Sequence, residues 1–195
     1  MNKEQILIRI SGKDRIGLTA SIMAILAKYD AQILDLGQAV IHNTLSMGIL
    51  IRIDEAHSGQ VMKELLFKTT ELGSISIGFA PVSDEDYEAW AGRQGRNRYI
   101  LTIIGRSLSA AQIQAATDVI SRYGLNIDAI KRLTGRMSIM HPEHNVRACV
   151  EFSVRGFLSA DDKKKMSYRA KRVYLIFIVQ IYVQTERKQK KSVFL

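Results

Sequence analysis

The 195-residue chain holds a single cysteine, and it has no apolar run long enough to cross a bilayer. Cys149 has no partner within the chain, so disulfides play no part unless two chains join, and a reducing, cytoplasmic setting is expected. The longest apolar run, residues 173–183, falls short of the roughly 20 residues that a spanning helix needs, so no membrane is implied. Met1-Asn2-Lys3-Glu4 lacks a signal-peptide pattern. Gly73 and Gly78 have no phosphate-loop spacing and carry no nucleotide signal. The net charge of +9 comes without any nucleic-acid-binding motif. Lys and Arg against Asp and Glu number 18 and 16 in residues 1–156, but 10 and 3 in residues 157–195. The clusters Lys163-Lys164-Lys165, Arg169-Ala170-Lys171-Arg172 and Arg187 to Lys191 therefore read as a solvated surface in preference to a nucleic-acid site.

What is present is a repeated alternation of strand and helix periods. Ile6, Ile8 and Ile10 alternate as a strand, a turn follows at Gly12 to Gly17, and Ile22, Ile25 and Leu26 then fall at helical spacing. Tyr99 to Gly105 repeats the strand, and Ser109 to Arg122 repeats the helix, with Ile113, Ala116, Val119 and Ile120 on one stripe and Ser107 and Ser109 as caps. Ala27 to Leu36 corresponds to Ser121 to Ile130 without a gap, at an offset of ninety-four residues. A repeat of this size means two copies of one module. In the first copy, Leu45 to Ile53 reads as a strand, Gly59 to Leu72 as a helix with Val61, Leu65, Leu66 and Leu72 inward, and Ser74 to Val82 as a last strand. In the second, Ala148 to Arg155 is the third strand, a helix is expected from Ser159 to about Tyr168, and Val173 to Val183 is the fourth strand. The order strand, helix, strand, strand, helix, strand predicts an α+β fold. It comprises two ferredoxin-like βαββαβ units, each an antiparallel sheet with helices on one face. The expected boundaries are 1–82, a polar linker at 83–97, 98–185, and a basic tail at 186–195. Nearly half of the chain is apolar, enough for two cores of about 80 residues each.

The loop Asp14-Arg15-Ile16-Gly17-Leu18 resembles the Asp-Arg-x-Gly-Leu loop of the ACT domain, a regulatory module that binds amino acids. The resemblance implies an amino-acid site at Asp14, Arg15, Gly17, Leu18 and Gln32 in the first copy. In the second it implies Gly105, Asn126 and Asp128, although Gly105-Arg106-Ser107-Leu108-Ser109 departs from the loop pattern. Backbone and amide donors would take the ligand carboxylate, and carboxyl or carbonyl acceptors its ammonium. Gly124 to Leu133 followed by Cys149 to Gly156 also resembles the tandem regulatory modules of long-form bacterial phosphoserine phosphatases, which implies L-serine as the effector. Those enzymes continue into a haloacid-dehalogenase domain whose Asp-x-Asp-x-Thr acts with Mg²⁺. No Asp-x-Asp-x-Thr occurs in this chain. Asp84-Glu85-Asp86 has the carboxylate spacing alone and reads as a helix N-terminal or solvated cluster. The chain is thus expected to hold no catalytic residue, no metal site and no cofactor, and to be inactive as a phosphatase by itself. The expectation is a truncated regulatory region, the alternative a self-standing tandem regulator similar to the glycine cleavage system repressor. His141-Pro142-Glu143-His144 reads as a hairpin loop in preference to a metal pair. Exposed edge strands on both modules predict a homodimer.

Overall fold

The computed structural model describes residues 2–94, 97–105, 108–135, 138–141, 147–162 and 164–166, with the backbone alone of 176–180. The chain divides into unit 1, Met1–Ala91, and unit 2, Gly92–Leu195, at a boundary inside the expected linker.

Unit 1 runs β1 (Lys3–Lys13), α1 (Leu18–Lys28), β2 (Gln32–Ile41), β3 (Thr44–Asp54), α2 (Glu55–Leu72) and β4 (Ile75–Val82). Its sheet has the order β2-β3-β1-β4, antiparallel throughout. Strand alternation sends Ile6, Ile8 and Ile10, with Leu45, Met47, Ile49, Ile51 and Ile53, to one face. There they are buried against Ile22 and Leu26 of α1 and Val61 and Leu65 of α2. Each such side chain contributes about 1.5–3 kcal/mol on burial, which is what holds two otherwise marginal helices to the sheet. Leu66, expected inside, is half exposed. The inward stripe of α2 is Ser58, Val61, Leu65 and Thr69, and the Thr69 hydroxyl is satisfied by donating to the Leu65 carbonyl at 3.0 Å.

The linker expected at 83–97 contains a helix, α3 (Asp84–Gln94). The Ser83 hydroxyl accepts from the Asp86 amide at 3.0 Å, and Asp84, Glu85 and Asp86 fill the first turn, where the positive end of the helix dipole favours carboxylates. The Asp84 carboxylate accepts from Gln5 Nε2 at 2.8 Å, tying the start of α3 to β1.

Unit 2 repeats the plan as β5 (Arg98–Gly105), α4 (Ala110–Arg122), β6 (Asn126–Arg132), β7 (Ala148–Arg155) and β8 (Ile176–Gln180), in the order β6-β7-β5-β8. Tyr99, Leu101, Ile103, Ala116, Ile120, Phe152 and Val154 form its core. Residues 160–162 and 164–166 are helical, Met166 is fully buried, and the Ser159 hydroxyl accepts from the Asp162 amide at 3.0 Å. β8 lies within the expected fourth strand, whose other residues, like the tail at 186–195, fall outside the described residues. The duplication extends to an irregularity. β2 bulges between Ile33 and Asp35 against β3, and β6 bulges between Ile127 and Ala129 against β7. The copies differ in the next hairpin. His42 and Asn43, with φ of 46° and 63°, make the two-residue turn of the first. Residues 133–147 connect β6 and β7 in the second; His141 is exposed there, and Ser107 and His144 lie outside the described residues. No described helix is long and apolar enough to cross a membrane.

Candidate functional site

The loop between β1 and α1 is built by three backbone constraints. Lys13 N–H donates to the Ser74 carbonyl at 3.2 Å, and Asp14 N–H donates to the Asn43 carbonyl at 2.8 Å, so the loop is pinned to the β2–β3 turn and to the start of β4. Gly12 lies at φ +151°, where a Cβ would stand 2.1 Å from the Ser74 carbonyl oxygen; only glycine lets the two segments meet. Gly17, at φ 85° and ψ −3°, then turns the chain into α1 as its N-cap.

A glycine N-cap brings no side chain, and α1 makes no side-chain cap bond. Leu18 N–H reaches the Arg15 carbonyl at 3.3 Å and Ser21 N–H the Gly17 carbonyl at 2.9 Å. Among the described residues, the amides of Thr19 and Ala20 between them have no acceptor. Two unpaired N–H groups at the positive end of a helix form an anion seat. Asp14, Arg15 and Gly17 are exposed around it, and Ile16 is fully exposed, whereas Leu18 is 2% exposed and anchors the loop in the core. The Thr19 hydroxyl donates to Gln38 Oε1 at 2.9 Å, fixing the first turn of α1 to β2.

Gln32 is not part of this constellation. It stands opposite Arg52, which stands opposite Gln5, eight residues along β1 from Lys13 and so about 27 Å from the loop at the usual strand rise. The residue of β2 that reaches the first turn of α1 is Gln38. Counting back along β2 from the turn at His42 would have found it.

The second copy is arranged differently. Gly105 ends β5 opposite Ala148, while Asn126 pairs with Arg155, which pairs with Arg98 at the far end of the sheet. Asn126 and Asp128 are therefore separated from Gly105. The Asp128 carboxylate is held by Arg155 Nε and accepts from Asn126 Nδ2 at 3.3 Å, and Arg155 Nη1 also donates to the Gln94 carbonyl. This cluster lies within unit 2. The N-terminus of α4 is closed by a capping box: Ser109 Oγ accepts from Gln112 N–H at 3.3 Å, and Gln112 Oε1 accepts from Ser109 N–H at 2.8 Å. An open helix terminus exists in unit 1, and its counterpart in unit 2 is sealed.

The resolved shifts in ionisation lie away from the loop. Hydrogen bonds from Lys28 and then Tyr29 hold the Glu64 carboxyl below its ordinary range, and Glu64 in turn raises Lys28. The Ser159 hydroxyl and amide do the same to Asp162. Among the described residues no group of three or more His, Cys, Asp or Glu side chains is placed to hold a metal ion.

A family model of the ACT domain matches residues 4–78, from β1 into β4. A UPF0237 protein of Pyrobaculum aerophilum is 33% identical over 72 residues, covering 36% of this chain and 80% of that protein. The chain belongs to the ACT-domain family. Phosphoserine phosphatase SerB2 of Mycobacterium tuberculosis is 23% identical over 133 residues, which cover 68% of this ACT-domain chain; the chain spans 31% of that relative's length. Two solved structures carry the fold across both units. A candidate glycine cleavage system transcriptional repressor is matched over 94% of this chain and 99% of its own, with TM-score 0.67 and 11% identity. An unknown protein from Galdieria sulphuraria is matched over 93% and 100%, with TM-score 0.64 and 16% identity. The ACT-domain match ends within β4, in the unit whose helix terminus is open.

Proposed function

We propose that this ACT-domain protein is an amino-acid-sensing regulator whose ligand sits on the β1–α1 loop of unit 1, with L-serine as the effector. The observation that carries the reading is the open start of α1. The amides of Thr19 and Ala20 can take a ligand carboxylate, and the exposed Asp14 carboxylate in the same loop can take its ammonium. A ligand hydroxyl would find the Thr19–Gln38 pair in the first turn. Binding would be read out through the edge of the sheet: β2 is an edge strand with Ile33, Leu36, Val40 and Ile41 exposed, and it carries Gln38. A ligand that favours one pairing of such edges over another shifts the population between them.

Two settings fit this role. The likeness to SerB2 over both units supports a regulatory region of a phosphoserine phosphatase, with the chemistry carried by residues this chain does not contain. The match to the repressor structure over nearly all of both chains supports a self-standing tandem regulator. Both predict a homodimer in the cytoplasm.

The test is isothermal titration with L-serine, with glycine and O-phosphoserine as comparisons and Asp14→Ala and Gly17→Val as loop variants. Saturable serine binding that the loop variants lose and a Ser109→Ala variant keeps is the expected result. Absence of heat from every amino acid, or binding indifferent to Asp14 and Gly17, would refute the site. Sedimentation showing a monomer at all concentrations would remove the edge-pairing mechanism.

A further inference from the structure

The face of the unit 1 sheet turned away from α1 and α2 holds a cleft of about 420 Å³, within the size range of small-molecule sites. It lies between the sheet and α3 and has an almost wholly apolar lining, with Leu7 and Leu50 among it. Its floor exists because of a cross-strand pair. Gly37 of β2 stands directly opposite Gly48 of β3, and a methyl group on either would meet nothing within 4 Å. Glycine in a strand interior weakens the strand and marks places where another group approaches the backbone closely. Here two coincide, and the space above them is unfilled by the protein.

The wall opposite this floor is aromatic. Tyr87 and Trp90, one helical turn apart on α3, line the cleft with ring centroids 5.9 Å apart. Two acidic residues, Asp35 beside the β2 bulge and Asp86 in the first turn of α3, also border the cleft, and both are exposed to solvent. Each spends one oxygen locally: Asp35 Oδ1 on the Leu36 amide at 2.9 Å, Asp86 Oδ2 on the Ser83 hydroxyl at 2.9 Å. Among the described residues neither forms an ion pair. Arg9 pairs with Gly48 along β1, but its guanidinium extends over Gly78 on the β4 side, away from Gly37.

We propose that this cleft binds a small organic cation: a primary amine on an apolar, flat or branched body. The body lies on the Gly37–Gly48 floor against Tyr87 and Trp90, and the ammonium meets the carboxylates of Asp35 and Asp86 with a cation–π contribution from the rings. A free amino acid is the wrong ligand here, because its carboxylate would face two like charges. The site is therefore chemically distinct from the β1–α1 loop, and its occupancy is independent of the amino-acid reading.

Trp90 is the single tryptophan of the chain, so intrinsic fluorescence reports this cleft directly. The full chain would be titrated with 2-phenylethylamine, 2-phenylethanol and phenylacetate, three ligands of one body and different charge. The expected result is a saturable change with the amine, affinity about tenfold weaker for the alcohol, the loss of one charge-assisted contact, and no response to the carboxylate. Gly37→Val and Gly48→Val, each checked by its melting curve, should abolish the response by filling the floor. Asp35→Asn with Asp86→Asn should weaken the amine about tenfold while leaving the alcohol unchanged. Equal binding of all three ligands, amine binding that survives both valine variants, or no amine response below about 10 mM would overturn the proposal. So would sedimentation showing a dimer that Trp90→Ala dissociates, since the occupant would then be a second copy of the chain.

Discussion

Gly12 and Gly17 flank the same loop and both have positive φ, yet replacing each by alanine should have very different costs. At Gly17 the φ is +85° and the space a Cβ would enter is empty, so Gly17→Ala bears backbone strain alone, about 1–2 kcal/mol. At Gly12 the φ is +151°, and the new Cβ would stand 2.1 Å from the Ser74 carbonyl oxygen and 2.8 Å from the Ile75 Cα. Both are backbone atoms that no rotamer change can move. Strain of about 1–3 kcal/mol and overpacking of about 1–3 kcal/mol then add, and the Lys13–Ser74 bond is put at risk for about 1 kcal/mol more. A central figure of about 5 kcal/mol is a large part of the stability of a unit this size. In melting temperature it corresponds to about 25 °C, against about 5–10 °C for Gly17→Ala. Thermal unfolding followed at Trp90 isolates unit 1, because no tryptophan lies in unit 2. Equal shifts for the two variants, or a milder one for Gly12→Ala, would refute the close approach of β1 to Ser74 on which the loop geometry depends.

Two further expectations concern charge and capping. Lys28 first and Tyr29 second hold Glu64 below its ordinary value of 4.5. Its contribution to stability is thus present above that value and lost as pH falls through the lower folded-state value. Glu64 likewise raises Lys28 above 10.5, a contribution present below that value and lost as pH rises past the raised one. Glu64→Gln should therefore flatten both limbs of the plot of melting temperature against pH, and curves that stay parallel would contradict the assignment. Ser109→Ala opens the capping box of α4 and should cost unit 2 about 1 kcal/mol in urea unfolding followed by circular dichroism; no loss would mean that the box contributes nothing.

Sequence periodicity located the elements because burial repeats at two residues in the strands and near four in the helices. The repeat at an offset of ninety-four residues is legible in the sequence, and the structure extends it to the bulges beside Ile33 and Ile127. The structure brings candidate site residues together only where the chain is local. Asp14, Arg15 and Gly17 adjoin in sequence and in space. Gln32, Asn126 and Asp128 have suitable donor and acceptor chemistry, but a helix returns the chain to the far end of the sheet before the next strand begins. Leu66 shows the same limit in a helix, where an extra apolar residue beside the inward stripe cannot be told from one on it. The helix in the linker was hinted at by Asp84-Glu85-Asp86. What it covers was not, since contact between Gln5 and Asp84 joins residues seventy-nine apart.

The strand order also governs how the chain comes into being. β1 is an inner strand, bonded on one side to β3 and on the other to β4, and β5 stands likewise between β7 and β8. The first strand of the unit to leave the ribosome therefore waits for partners made some forty and seventy residues later. Until then Ile6, Ile8 and Ile10 are exposed with both backbone edges open, and no early subset of the unit can close around them. Such non-local pairing makes for slow folding relative to a helical bundle of the same length. It also makes β1, at the edge of the unit in sequence but at the centre of its sheet in space, the segment whose loss would dismantle that sheet.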